Sequence, residues 1–442
     1  MRGMRLRFLL LSLLGCLMLC APLGISAQSG AGGQEPATVE ARKTGDAYTL
    51  PPETMKKAVA YRRTRTALGF VETGWGILQL LLVLSFGIAY RMRNVAVNLT
   101  KKRWGQGAIF VLELLIVTSL LNLPLELFGH HLAVAYGQSV QGWGTWFWDQ
   151  AKSFALTWGI GLLLVMALFF TVRKYPKGWW LAFWGVAMGA VVAGIFASPL
   201  IIDPLFNKFE PLQASNPALV ARLEQVVKRG GVSIPPERMY LMKASEKVTG
   251  LNAYVTGFGA SKRVVVWDTS IAKGTPDEIS FIFGHEMGHY VLNHIPKMLA
   301  FIGVVLLLMF YLGFRAVGWL IARYGRAWRV PTQNDWGALV VMVLVLSVLS
   351  FVTEPLINAD SRMEEHEADV YGLEAIHGIV ADPQGVGQAA FQLLGETSLA
   401  DPHPSPFVVF WTYTHPDISS RAAFARDYNP WVAGQSPQFF KK

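Results

Sequence analysis

The 442 residues are 52% hydrophobic and only 16% charged, a balance too apolar for a water-soluble enzyme of this length. The net charge of +9 does not mark a nucleic-acid binder, because the Lys and Arg residues gather at the ends of apolar runs instead of along one basic face. Both cysteines, Cys16 and Cys20, lie close to the N-terminus, so the rest of the chain has neither a disulfide framework nor a cysteine metal site.

Arg2, Arg5 and Arg7 precede an apolar run from Phe8 to about Leu23, and Ser26-Ala27 supplies small residues for cleavage before Gln28. Residues 1–27 therefore read as a secretory signal peptide or, uncleaved, as an anchor. A polar segment, 28–67, follows. It is Gly- and Ala-rich to about residue 50 and then becomes a short amphipathic lead-in whose Lys56, Lys57, Arg62, Arg63 and Arg65 form a solvated or interfacial face. Six apolar runs are each long enough to cross a bilayer: roughly 70–90, 107–127, 153–172 and 179–201 in a four-span region (68–201), then 298–322 and 336–357 in a two-span hairpin (298–357). Basic clusters lie between spans: Arg91, Arg93 and Lys101–Arg103; Arg173, Lys174 and Lys177; Arg323, Arg326 and Arg329. Such short basic loops face the cytoplasm. With a bacterial-style leader, this predicts a bacterial cytoplasmic membrane, with the large polar regions outside the cytoplasm.

The polar stretch 202–297 carries a predicted helix, Pro217–Lys228, stopped by Gly230-Gly231. Strands are predicted at Met239–Met242 and Arg263–Trp267, with Asn252–Thr256 a further candidate. Thr275-Pro276-Asp277-Glu278 is a capping box with proline at the first helical position, and it starts a helix that can run to about Asn293. On that helix lies His285-Glu286-Met287-Gly288-His289. The pentapeptide occurs by chance in roughly one chain in a hundred of this length, so its helical context decides. Four residues apart, the two imidazoles leave one face toward one metal ion, and Glu286 can reach a water on that ion. The chemistry implied is peptide hydrolysis with one Zn²⁺ per chain.

Catalytic zinc takes three protein ligands. No histidine follows at the spacing H-E-x-x-H-x-x-G-x-x-H, and His294, five residues past His289, would point away on a continuing helix. The other source is an acid in Ser361-Arg362-Met363-Glu364-Glu365-His366-Glu367-Ala368-Asp369, which follows the hairpin. Two crossings return the chain to its starting side, so this segment (358–442 with its tail) can meet the histidine helix. Glu365 and Asp369 share a face, as a ligand and an acid orienting an imidazole would. Spacing favours Glu365 without fixing it.

These motifs together resemble the CAAX prenyl protease type I family of integral-membrane zinc endopeptidases, which are related to the heat-shock membrane zinc proteases. The resemblance rests on H-E-M-G-H, Ser361-Arg362 with Glu365 and Ala368-Asp369, Asn252-Ala253-Tyr254, Pro204–Phe209, Arg263–Thr269, and His415-Pro416 with Arg421, in order over roughly residues 68–426. It implies His285, His289 and Glu365 as metal ligands, Glu286 as general base, and Asp369 as the acid that orients a ligating histidine. It implies Arg362 as a basic residue steadying a carboxylate near the site, and Asn252 and Ala253 as an edge strand that pairs with substrate. It implies His415 as a stabiliser of the oxyanion. The expected fold is mainly α: a polytopic membrane bundle of six or seven spans with a zincin-like α+β metalloprotease domain. The expected partners are a peptide or protein substrate and the lipid bilayer, with no nucleic acid; no feature fixes an oligomeric state. Membrane or exported proteins are the expected substrates. The alternative, a non-cutting membrane chaperone or scaffold that keeps the zinc fold, is disfavoured by the intact Glu286. A transporter is disfavoured because the spans lack paired charges.

Overall fold

An uncharged run in lipid must satisfy its main chain internally, which favours helices. The protein, described by a computed structural model over residues 46–257 and 262–441, has six helices long and apolar enough to span. The expected leader at 1–27, with both cysteines, lies outside the described residues. Helices α1 (Pro52–Ser85), α2 (Ile88–Leu99), α3 (Arg103–Ala135), α4 (Trp143–Lys174) and α5 (Trp179–Ala197) build the first part of the bundle. A short π-turn and a single helical turn then lead out to Phe206. The expected boundary near residue 68 is not a break. The lead-in and first span form one helix from Pro52 to Ser85, ended by Gly87 at φ 68°. Met55–Thr66 contains no helix breaker, so helicity outruns the apolar stretch. Its basic face is partly used: Arg62 donates to the carbonyls of Ser398 (2.7 Å) and Leu399 (3.0 Å), tying α1 to the C-terminal half.

Next come β1 (Phe209–Pro211), α6 (Pro217–Arg229), β2 (Met239–Met242), β3 (Ala253–Thr256) and β4 (Arg263–Trp267). The sheet order is β1-β2-β4-β3, antiparallel except for the parallel β2/β4 pair, and β3 is an edge. α7 (Pro276–Val291) carries the histidine pair. α8 (His294–Trp328) and α9 (Ala338–Ile376) form the hairpin, followed by α10 (Pro383–Thr397), α11 (Pro406–Thr412) and α12 (Ile418–Asp427). The hairpin is longer than its apolar runs. The expected division at 357/358 falls inside α9, a continuous helix of 39 residues.

Two main hydrophobic cores result, one in the bundle and one around α6, α7, the sheet and α10. α9 belongs to both: Ala338–Leu346 are buried in the first, and Tyr371, Leu373, Ala375 and Ile376 in the second. Buried Glu374 fastens the C-terminal tail by accepting from the N–H groups of Gln438, Phe439 and Phe440 and from the Tyr428 hydroxyl.

Candidate metal centre

α7 begins as its sequence predicts. Thr275 Oγ1 accepts from the Glu278 N–H (3.2 Å), and the Glu278 carboxylate accepts from the Thr275 N–H (2.7 Å). This fixes the helix that sets His285 and His289 one turn apart. α9 crosses it backbone to backbone. A Cβ on Gly372 would lie 2.9 Å from the His285 nitrogen, and one on Gly284 would lie 3.3 Å from the Gly372 Cα. Only glycine permits that approach.

The crossing brings three donor groups together. His285 Nε2 and His289 Nε2 are 3.2 Å apart; Glu365 Oε2 is 3.3 Å from the first and Glu365 Oε1 3.5 Å from the second. Zinc ligands at about 2.0–2.1 Å in a tetrahedron are separated by about 3.3–3.4 Å, so these edges fit a zinc ion. Buried Glu365 Oε2 has no hydrogen-bond partner among the described residues, as an oxygen reserved for a metal would not. Charge agrees as well. Glu286, Glu365 and Asp369 face a single guanidinium, Arg421; with neutral imidazoles the cluster is short by two positive charges, which a divalent cation supplies.

Each histidine is also held through its other nitrogen. His285 Nδ1 lies 2.8 Å from Asp369 Oδ1. Asp369 in turn accepts from Arg421 Nε (2.8 Å) and Nη2 (2.6 Å). Arg421 is buried over the Phe391 ring (4.6 Å) and is delivered by α12, whose start is capped by Asp417. Burial works against the Arg421 charge, but Asp369 and Glu365 more than restore it. His289 Nδ1 lies 2.9 Å from His294 Nδ1, and His294 Nε2 lies 3.0 Å from Glu367 Oε2. His294 therefore does not point away. α7 ends at Val291, and Asn293 adopts a left-handed conformation (φ 58°) that swings the chain back before α8 begins. Glu367 likewise serves the cluster, through His294.

The remaining sequence candidates divide. Glu286 and His415 line a cavity of about 490 Å³ that extends past Tyr61 and Arg62 of α1 to His130 of α3. Burial pushes the Glu286 carboxyl above its usual range, against the pull of His285 and His289. His415 Nε2 is 3.0 Å from Glu365 Oε1. Arg362 corrects the expectation: among the described residues it pairs with no carboxylate but donates to the carbonyls of Val409 (3.1 Å) and Tyr413 (2.6 Å). Those carbonyls lie at the C-terminal end of α11, so Arg362 anchors the turn that presents His415. Asn252 lines the cavity, but its main chain is engaged: its N–H donates to Ser270 Oγ, and its carbonyl accepts from Trp267 N–H. Antiparallel alternation then turns the N–H and C=O of Ala253, opposite Val266, away from β4 toward the open edge. Sequence reasoning gave no role to Arg421, His294 or Glu367. The signal for Arg421 was its place one turn into a helix capped by Asp417; the signal for His294 was the break implied by Asn293 ahead of Pro296.

The model for the CAAX prenyl protease N-terminal region, described as five membrane helices, matches residues 45–208, the stretch that holds α1–α5. Peptidase family M48 matches residues 213–429. An uncharacterized metalloprotease of Bacillus subtilis, YhfN, is 33% identical over 397 residues, 88% of this chain and 89% of that protein. CAAX prenyl protease 1 of Saccharomyces cerevisiae is 24% identical over 407 residues, 86% and 87% of the two chains. The crystal structure of S. mikatae Ste24p has the same fold, with a TM-score of 0.74 at 21% identity over 96% of each chain. The chain thus belongs to peptidase family M48 and is an integral-membrane metalloprotease.

Proposed function

We propose that the enzyme is a zinc-dependent endopeptidase acting on membrane-associated or exported proteins and peptides, with His285, His289 and Glu365 as the ligands. The observation that carries this reading is the triangle of donor atoms with 3.2–3.5 Å edges beside a carboxylate, Glu286, that lines the cavity. Zinc, when bound there, supplies a Lewis acid that polarises the scissile carbonyl and makes water nucleophilic near neutral pH. Glu286 accepts the proton of the attacking water and passes it to the leaving amine. Asp369 accepts a hydrogen bond from His285 Nδ1–H and so leaves the Nε2 lone pair facing the metal position; His294, backed by Glu367, orients His289 in the same way. His415 donates to the developing oxyanion. The outward main-chain groups of Ala253 align the substrate as an added strand, beside the Asn252 side chain.

The catalytic half lies outside the cytoplasm in this reading. Its support is the grouping of connectors: residues 136–142 hydrogen-bond to Lys247 of the protease half, whereas the three basic connectors gather at the other end of the bundle. The relatives named as CAAX prenyl proteases raise prenylated substrates, and the decisive experiment includes one. Detergent-purified enzyme is offered an unfolded protein and a prenylated Cys-terminated peptide, with and without chelator and beside Glu286→Gln. Chelator-sensitive cutting of the unfolded protein is expected. Cutting of the prenylated peptide alone would replace the broad substrate class with a narrow one, and cutting of neither would overturn the endopeptidase.

A further inference from the structure

The end of the bundle remote from the metal centre is strongly basic. Residues 86–103, 173–178 and 323–337 contain eleven Lys and Arg and one acid, Asp335. These connectors pack as a unit: Arg103 Nη2 donates to the Asn334 carbonyl (3.0 Å) and Trp179 Nε1 to Gln333 Oε1 (2.7 Å). Asp335 is already taken by Arg93, at 2.8 Å.

Between α2 and the end of α8 this face opens into a cleft of about 680 Å³. Its polar wall is Arg93, Arg326 and Arg329 around Tyr90, whose ring lies 4.6 Å from the Arg93 guanidinium and 4.9 Å from that of Arg329. Three arginines thus line one cleft; Arg93 is paired with Asp335, and among the described residues neither Arg326 nor Arg329 has an acidic partner. Arg329 also occupies the left-handed C-cap of α8 (φ 57°), a position that favours glycine; the side chain is retained against the backbone preference. The other wall is a run of small residues on one face of α8, Gly318, Ala322 and Gly325, leading from the arginines toward the membrane-spanning part of the helix.

We propose that this cleft binds one anionic phospholipid, its phosphate held by Arg326 and Arg329 and the start of an acyl chain laid along Gly318 and Ala322. Guanidinium forks suit phosphate oxygens, the cleft sits where the headgroup layer meets the span ends, and the leaflet that basic loops face is the one rich in anionic lipid. This does not depend on the proposed peptidase mechanism. The test uses the full chain, delipidated in detergent, with phosphatidylglycerol, phosphatidylcholine or sodium phosphate as probes and native mass spectrometry as readout. One retained phosphatidylglycerol is expected, preferred over phosphatidylcholine by about tenfold or more. Arg326→Gln with Arg329→Gln should remove that preference. Arg173→Gln with Lys177→Gln, an equal charge loss on the same face, should leave it within about twofold. Gly318→Leu fills the groove without touching a charge and should also abolish retention; the arginine pair, being exposed, tests the site even where that variant does not fold. Equal losses in both charge pairs, retention by a folded Gly318→Leu chain, or displacement of the lipid by millimolar phosphate alone would each overturn the proposal.

Discussion

Arg421→Gln is the sharpest test of how the metal centre is built. Asp369 is 1% exposed, and its two oxygens are met by both arms of the Arg421 fork, at 2.8 and 2.6 Å, and by His285 Nδ1 at 2.8 Å. Arg421 also lies 3.4 Å from Glu365. Removing the guanidinium leaves Asp369 with one neighbour and the cluster one negative charge in excess even when a divalent ion is bound. Breaking a buried pair by deleting one partner costs about 3–5 kcal/mol, a large share of the roughly 5–15 kcal/mol that holds a typical fold. A loosened Asp369 also frees His285, and losing such an outer partner weakens metal binding by about 10- to 100-fold. The assay is paired: unfolding in detergent, and competition for zinc against a fluorescent chelator. Both should fall in Arg421→Gln. Arg421→Lys should recover only part of each, since a point charge cannot reproduce two parallel bonds. Adding Asp369→Asn to Arg421→Gln should recover stability, because no unpaired buried charge remains, while zinc stays weakly held. Wild-type unfolding and wild-type zinc affinity in Arg421→Gln would refute the reasoning.

Four further outcomes are expected. Glu286→Gln should keep zinc, measured by elemental analysis, yet lose at least about 100-fold in hydrolysis, because the amide accepts no proton. His285→Ala should instead lose the metal, with activity falling alongside the zinc content. Gly372→Ala places a Cβ 2.9 Å from the His285 main-chain nitrogen and should cost about 1–3 kcal/mol of stability; by prising α9 from α7 it should also weaken zinc retention. Glu374→Gln turns an acceptor of four hydrogen bonds into a group with a donor facing donors. It should cost about 2–3 kcal/mol and expose residues 428–440 to limited proteolysis.

Local chemistry made much of this site legible in advance. Thr275 and Glu278 announced α7, the four-residue spacing of His285 and His289 announced a shared face, and two crossings announced that an acid after the hairpin could return to them. Strands Met239–Met242 and Arg263–Trp267 and helix Pro217–Arg229 stand within a residue of their sequence reading; the strands are short apolar runs set between charged residues, and the helix is bounded by Pro217 and Gly230. What stayed hidden depends on contacts distant in the chain. Arg421 meets Asp369 across 52 residues; the Asp417 cap marks the helix that carries it but not the partner that helix delivers it to. For Arg362 the resemblance implied a carboxylate partner, whereas its side chain reaches the carbonyls of Val409 and Tyr413. His294 was misjudged because helical projection assumes an unbroken helix, and one left-handed residue, Asn293, removes the assumption.

The length of α9 limits where cutting can take place. From Ala338, next to the basic face, to Glu365 is 27 residues, about 40 Å at 1.5 Å per residue. The hydrocarbon layer is about 30 Å thick, so even a tilted α9 carries Glu365 out to the opposite interface, not to mid-bilayer. The cavity that begins at Glu286 extends from there past Tyr61 and His130 into the adjoining end of the bundle. Because span and ligand are one helix, displacement of the hairpin along its axis moves Glu365 by the same amount. A slip of a single turn, about 5.4 Å, exceeds the 3.3 Å that separates Glu365 from His285 and would dissolve the ligand triangle. The close backbone approach at Gly284 and Gly372 opposes that slip, so the proposed metal centre depends on packing that none of its proposed ligands provides.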